Sequence, residues 1–276
     1  MKIDSHQHFW TIARGDYGWM SPELGPIYRD FGPDDLTPLM EAAGIDKSIV
    51  VQAADTVAET EFLLGLAGQS DAVAGVVGWI DMEAPDAISE LERLARDPHF
   101  KGIRPMIQEI ADDEWILRPG LDRVFDALST MGLTFDALVL PRHLPHLLTR
   151  LGKHPELKCV IDHAAKPHLA TGDLGDWPDD MRRLARNTQS LCKLSGLVTE
   201  IGPDWTVEAI SPAAQLILEE FGASRLMFGS DWPVLNLASD YPTWVETAAT
   251  LTAGLDEREA TALWGGTAAE FYGIGG

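Results

Sequence analysis

The residues best suited to chemistry begin at the amino terminus, where Asp4-Ser5-His6-Gln7-His8 follows a β-branched start. In a strand, residues two apart share a face, so Asp4, His6 and His8 are expected on one side and Ile3, Ser5 and Gln7 on the other. Two convergent imidazoles can hold a divalent metal ion or donate hydrogen bonds to a carbonyl oxygen. Further on, His163 closes the apolar run Val160-Ile161, and Asp231 closes Leu226-Met227-Phe228-Gly229-Ser230. A buried carboxylate without partners is costly, and histidines on the same face would supply them. Arg104 sits in Gly102-Ile103-Arg104-Pro105, held extended by the proline behind it. Its fork of donors suits a carboxylate, carbonyl or hydroxyl oxygen, and suits a surface ion pair equally well.

Other polar residues close other apolar runs: Gln52 after Val50-Val51, and Trp79 with Asp81 after Val76-Val77. Lys166 and His168 follow His163 in a loop, where Lys166 is a candidate substrate contact. Asp162, one residue before His163, is expected to face the other way in a structural role. In Lys193-Leu194-Ser195-Gly196 the alternation does not assign the inward residue.

For these residues to meet, separate strands must end at one place. Strand-like runs recur near residues 2–8, 47–54, 72–80, 101–107, 133–140, 158–163, 190–196 and 225–231. Helical periodicity fills the intervals, from Asp35 to Ala43, Val57 to Gln69, Ala84 to Arg96, Pro119 to Met131, His143 to His154, Pro178 to Thr188, Val207 to Phe221 and Tyr241 to Leu251. Another helix is predicted from Asp256 to Tyr272. Gly44, Gly132 and Gly222 stand just past helix ends, and Thr56 precedes a helix start. Strict β-then-α alternation implies a parallel sheet, and eight units favour a closed (β/α)8 barrel over an open doubly wound sheet. No Gly-x-Gly-x-x-Gly turn follows an early strand, which speaks against a dinucleotide-binding fold. In a barrel, the C-terminal ends of the strands share one mouth.

The 276 residues, 45% of them apolar, suffice for one core, and no linker or repeat divides them, so a single domain over residues 1–276 is expected. A formal charge of -22 repels nucleic acid and anionic membranes, while a local arginine can still receive a small anion. With no targeting segment and no run of about 20 apolar residues, a cytoplasmic protein without a membrane partner is expected. Monomer and homo-oligomer are both compatible with the sequence. Cys159 and Cys192 lie in apolar runs and are expected as buried free thiols.

Asp4-Ser5-His6-Gln7-His8-Phe9-Trp10, Gly102-Ile103-Arg104-Pro105, Asp162-His163-Ala164-Ala165-Lys166-Pro167, Lys193-Leu194-Ser195-Gly196 and Phe228-Gly229-Ser230-Asp231-Trp232-Pro233, in this order, resemble the amidohydrolase superfamily. Within it the chain is similar to the sugar-lactone hydrolases, a branch related to pyrone-dicarboxylate lactonases. Leu263-Trp264-Gly265-Gly266-Thr267-Ala268 resembles the closing helix of that branch. The resemblance covers nearly the whole chain. It implies a distorted (β/α)8 barrel that hydrolyses a cyclic ester, with His6, His8, His163 and Asp231 as the metal or catalytic set. The fourth and fifth strand-like runs end in Arg104 and Leu138-Val139-Leu140, without the lysine or glutamate that bridges two metals in binuclear relatives.

On this reading Asp231 takes a proton from the attacking water and returns one to the leaving ring oxygen, with His163 beside it. One divalent cation, zinc for these ligand types, or the imidazoles with Arg104 alone would stabilise the oxyanion; metal-free catalysis stays open. The loop before the first helix carries Trp10, Tyr17, Trp19, Met20 and Tyr28, whose rings can stack on a sugar or simply pack. Trp232, Trp79, Gln52 and Lys166 complete the expected substrate contacts. The expected partner is a small lactone, of the L-fucono or L-rhamnono type, or a carboxylated muconolactone or pyrone. A metal-dependent decarboxylase and a non-catalytic sugar-binding barrel are the rival readings.

Overall fold

The computed structural model describes residues 1–275. Its strands are β1 (Ile3–Gln7), β2 (Lys47–Val51), β3 (Val73–Gly78), β4 (Phe100–Ile103), β5 (Thr134–Ala137), β6 (Lys158–Ile161), β7 (Leu191–Leu194) and β8 (Leu226–Phe228). All neighbours pair in parallel, in the order β1 to β8. The ring closes just past the strand ends, where Asp231 N donates to His6 O and His8 N to Trp232 O, both at 2.7 Å. A (β/α)8 barrel is therefore present, and its seam lies beside the predicted site.

The helices follow the strands: α1 (Pro33–Ala43), α2 (Val57–Ala67), α3 (Ala87–Leu94), α4 (Asp122–Met131), α5 (Leu144–Lys153), α6 (Trp177–Asn187), α7 (Val207–Phe221) and α8 (Tyr241–Leu251). Side-chain caps start several of them, with Thr56 accepting from Glu59 N at 3.0 Å and Asp240 from Thr243 N at 2.9 Å. The terminal helix predicted from Asp256 to Tyr272 is instead α9 (Glu257–Thr261) and α10 (Thr267–Tyr272), separated by a π turn at Ala262–Gly266. That turn stacks Trp264 on Phe228 of β8, with ring centroids 4.6 Å apart.

Strand alternation sorts the core into two clusters. Ile3, Ile49, Val51, Val77, Val160 and Met227 fill the barrel floor, closed by Ala268, Phe271 and Tyr272 of α10. Their neighbours Val50, Phe135, Cys159, Cys192 and Phe228 face outward into the larger cluster beneath the helices. Both cysteines are free and buried, as expected. Among the described residues no helix is long and apolar enough to cross a membrane.

The alternation expected for Asp4 fails. The register of β1 against β2 shifts between Asp4 and Gln7, because the Asp4 carboxylate accepts from His6 N at 3.2 Å and from Ser230 N at 2.8 Å. Its other oxygen accepts from the Tyr241 hydroxyl of α8 at 3.1 Å, outside the barrel. Asp4 therefore ties the closing seam to α8, while His6 and His8 turn inward.

Candidate active site

Above the apolar floor lies a polar layer that the alternation of β5, β6 and β7 builds. Lys193 Nζ stands 2.6 Å from Asp136 Oδ2, 3.0 Å from Asp162 Oδ1 and 3.0 Å from His6 Nδ1, and all four side chains are fully buried. The two carboxylates compensate a lysine that would otherwise be expensive to bury, and His6 Nδ1, 3.3 Å from Asp162 Oδ1, donates to that carboxylate in the tautomer that leaves its Nε2 lone pair facing the mouth. Tyr272 of α10 donates to Asp136 from below at 2.7 Å. Burial pushes the Asp136 carboxyl up. Burial would also raise Asp162, but Lys193 and His6 outweigh it and hold that carboxyl well below the usual range.

Asp162 is thus not on the opposite face from His163. Strand β6 ends at Ile161, so alternation from the inward Val160 carries Asp162 inward. His163 then enters the left-handed region at φ 53°, followed by Ala164, Ala165 and Lys166 at φ 51°, 60° and 52°. Such a run is uncommon for residues with side chains and persists where the surroundings impose it. Here the Ala164 carbonyl accepts from Trp177 Nε1 at 2.7 Å, and His163 Nδ1 lies 2.9 Å from Ser195 Oγ. The turn swings His163 back over the barrel beside Asp162.

Asp231, itself at φ 59°, meets the three imidazoles. Its Oδ1 is 3.2 Å from His8 Nε2 and 3.8 Å from the Nε2 atoms of both His6 and His163. His6 Nε2 and His8 Nε2 are 3.2 Å apart. His8 donates from Nδ1 to the Val51 carbonyl at 2.8 Å, which leaves its Nε2 lone pair facing the cluster. Glycines make the room: a Cβ on Gly229 would stand 2.8 Å from His6 Cβ, and one on Gly196 would stand 2.5 Å from His163 Nδ1.

Burial keeps the imidazoles neutral by lowering His6, His8 and His163, the last to about 4. Burial alone would raise Asp231, but His163 and the hydrogen bond with His8 outweigh it and hold the carboxyl ionised. Neutral nitrogen lone pairs around a carboxylate form a donor set for a cation. Ligands on a tetrahedral ion with bonds of about 2.1 Å lie about 3.4 Å from one another. The separations of 3.2 and 3.8 Å bracket that value, and one ligand atom from each of His6, His163 and Asp231 falls within 4.8 Å of the others. These residues fit one divalent metal ion.

A cavity of about 330 Å³ opens over the cluster, lined by His8, His163, Asp231, Arg104, Lys166 and Trp19, with Leu24, Met106, Gln108, Glu109 and Leu237 among its walls. Arg104 is aimed by Gln52, which donates to the Arg104 carbonyl at 2.8 Å and accepts from its Nη2 at 3.1 Å. Its Nη1 points to His6 Nε2 at 3.4 Å and Asp162 Oδ2 at 3.6 Å.

Four expected substrate contacts are not brought to this cavity. Gln52 is fully buried behind Arg104. Trp10 is fully buried too, its indole donating to Arg29 O at 2.8 Å and its ring packed on Phe31 and Trp19. Trp232 turns away from Asp231 to pack edge-on against Phe31 at 5.1 Å. Trp79 lines a neighbouring cavity with Asp81. From the long loop only Trp19, held by its indole on Ala53 O at 2.7 Å, and Leu24 reach the site. His168 lines a separate surface hollow. Asp136, Gln108 and Glu109 went unnoticed in the sequence, and for Asp136 and Lys193 the signal was available as charged residues at inward positions of short apolar strands.

An eight-stranded barrel with a His-His-His-Asp cluster at its mouth is an amidohydrolase architecture, and the chain belongs to the amidohydrolase family, whose profile it matches over residues 3–274. It is 46% identical to an L-fucono-1,5-lactonase of Burkholderia ambifaria over 99% of this chain and 96% of that protein. An L-fucono-1,5-lactonase of Burkholderia multivorans is 39% identical over 99% of this chain and 96% of its own length. Among solved structures, an amidohydrolase from Burkholderia multivorans with bound zinc is 38% identical, covers 100% of both chains and superposes with a TM-score of 0.93.

Proposed function

We propose that this protein is a lactonase that hydrolyses a small sugar-acid lactone of the L-fucono-1,5-lactone kind. The observation that carries this reading is the buried Asp231 carboxylate facing a small-molecule cavity among His6, His8 and His163, with Arg104 in the same cavity wall. The 46% identity to a lactonase over 99% of the chain supports the substrate class. A volume of about 330 Å³ stands at the small end of ligand sites, as a single sugar ring requires.

In this mechanism Asp231 uses Oδ1 toward the imidazoles, leaving Oδ2 to take a proton from water as it attacks the lactone carbonyl. His163, fixed by Ser195, orients that water. The Arg104 guanidinium, locked by Gln52, donates to the developing oxyanion. When the ring carbon–oxygen bond breaks, Asp231 returns its proton to the departing alkoxide. A divalent cation, zinc in our reading, would be held by His6, His8, His163 and Asp231 and would polarise the carbonyl and acidify the water.

The test is a pH-indicator assay over a stereochemically varied lactone panel, run with and without chelator. We expect acid release from neutral 1,5-lactones without carbon dioxide. Carbon dioxide evolution from an aromatic acid with no lactone hydrolysis would replace this reading with a decarboxylase.

A further inference from the structure

A second cavity of about 300 Å³ lies beside the first, and Met106 and Glu109 belong to the walls of both. Its remaining lining comes from the ends of β2 and β3 and the segment after β4, and includes Asp55, Trp79, Asp81, Glu83 and Trp115. Among the described residues no lysine, arginine or histidine lines it. Glu83 is already engaged, accepting from Trp115 Nε1 at 3.0 Å and from Arg118 at 2.7 Å. The carboxylates of Asp55 and Glu109 make no hydrogen bond or ion pair with any described residue, so their oxygens are free to accept. Trp79 is half-buried, and its backbone is clamped on both sides by the Thr60 hydroxyl, with Trp79 N donating at 2.8 Å and Trp79 O accepting at 3.2 Å. The backbone that carries the indole into the cavity wall is therefore fixed.

Free carboxylates beside an indole suit a ligand rich in hydroxyl groups and bearing no negative charge. Hydroxyls donate to the carboxylates, and the C–H face of a polyol packs on the ring. A substrate carboxylate entering the same space would meet like charges. Building on the lactonase reading, we propose that Glu109 is the specificity-determining residue of this site. It selects neutral polyhydroxylated lactones over carboxylated ones, and the cavity holding Trp79 receives the hydroxyl-bearing carbons.

The test measures kcat/KM for L-fucono-1,5-lactone, hydroxyl-free δ-valerolactone and a pyrone dicarboxylate, in wild type, Glu109→Ala, Glu109→Gln and Trp79→Leu. Loss of a hydrogen bond to a charged acceptor should lower the ratio of the fucono-lactone to δ-valerolactone about tenfold in Glu109→Ala, chiefly through KM. Glu109→Gln, which keeps an acceptor and removes the charge, should restore most of that ratio and raise the relative rate on the pyrone dicarboxylate about tenfold. Trp79→Leu should lower the first ratio without raising the second. If wild type hydrolyses both neutral lactones and Glu109→Ala slows them equally, the specificity role is overturned while the lactonase reading stands. If wild type hydrolyses neither, the lactonase reading falls and this inference falls with it.

Discussion

Replacing Lys193 by Met should cost more than any other single change in the polar layer. The substitution keeps most of the volume but leaves Asp136 and Asp162 facing each other in a fully buried space without the ammonium that now lies 2.6 Å from one and 3.0 Å from the other. Removing one partner of a buried charge pair costs about 3–5 kcal/mol, because the remaining charge is stranded. Unfolding entropy of about 2.1 cal/mol/K per residue gives a chain of this length about 0.6 kcal/mol/K, so a loss of 4 kcal/mol lowers Tm by about 7 °C. Urea unfolding and thermal melts of Lys193→Met, Asp136→Asn and the double variant measure this directly. The double variant should be more stable than the sum of the single costs predicts by about 1–3 kcal/mol, since the second change removes a charge that the first stranded. A Lys193→Met protein within 1 kcal/mol of wild type, or strictly additive costs, would refute the reasoning.

Two further outcomes follow from buried groups around the mouth. Burial pushes the Glu59 carboxyl up to about 8, against hydrogen bonds from Ala53 and Ala54. The folded state therefore holds a proton that the unfolded chain, titrating near 4.5, has released, and stability falls as pH rises from 4.5 to 8. Glu59→Gln should flatten this slope and raise urea-unfolding stability at pH 8 by a few kcal/mol, up to about 5 from the size of the shift; an unchanged slope would count against it. Gly196→Ala combines a backbone at φ 66° with a Cβ 2.5 Å from His163 Nδ1. It should destabilise by about 1–3 kcal/mol and displace His163, so kcat for lactone hydrolysis should fall with it, and a variant matching wild type in both would contradict the packing.

The barrel was legible because its signals are local. Each strand is a short apolar run followed by a helix, several of them with a side-chain cap or a glycine stop, and eight such pairs in strict alternation leave few architectures. The site was legible where a residue ends a strand, as with His6, His8, Arg104 and Asp231. It was misread where the backbone departs from the regular pleat. Asp4 bends its own strand by accepting from His6 N, and the left-handed run from His163 to Lys166 brings Asp162 and His163 to the same side. Neither effect follows from alternation. The aromatic contacts were misplaced for a different reason. Trp10 and Trp232 have the same composition signature whether they stack on a ligand or on Phe31, and only tertiary packing decides between the two.

The most direct test of the central claim is the turnover of L-fucono-1,5-lactone by Asp231→Asn, measured alongside its thermal melt. The amide keeps the shape but can neither take the proton from water nor return it to the ring oxygen. The account predicts a kcat at least about a thousandfold below wild type in a protein whose barrel remains folded. A folded Asp231→Asn enzyme turning over within a few fold of wild type would contradict it.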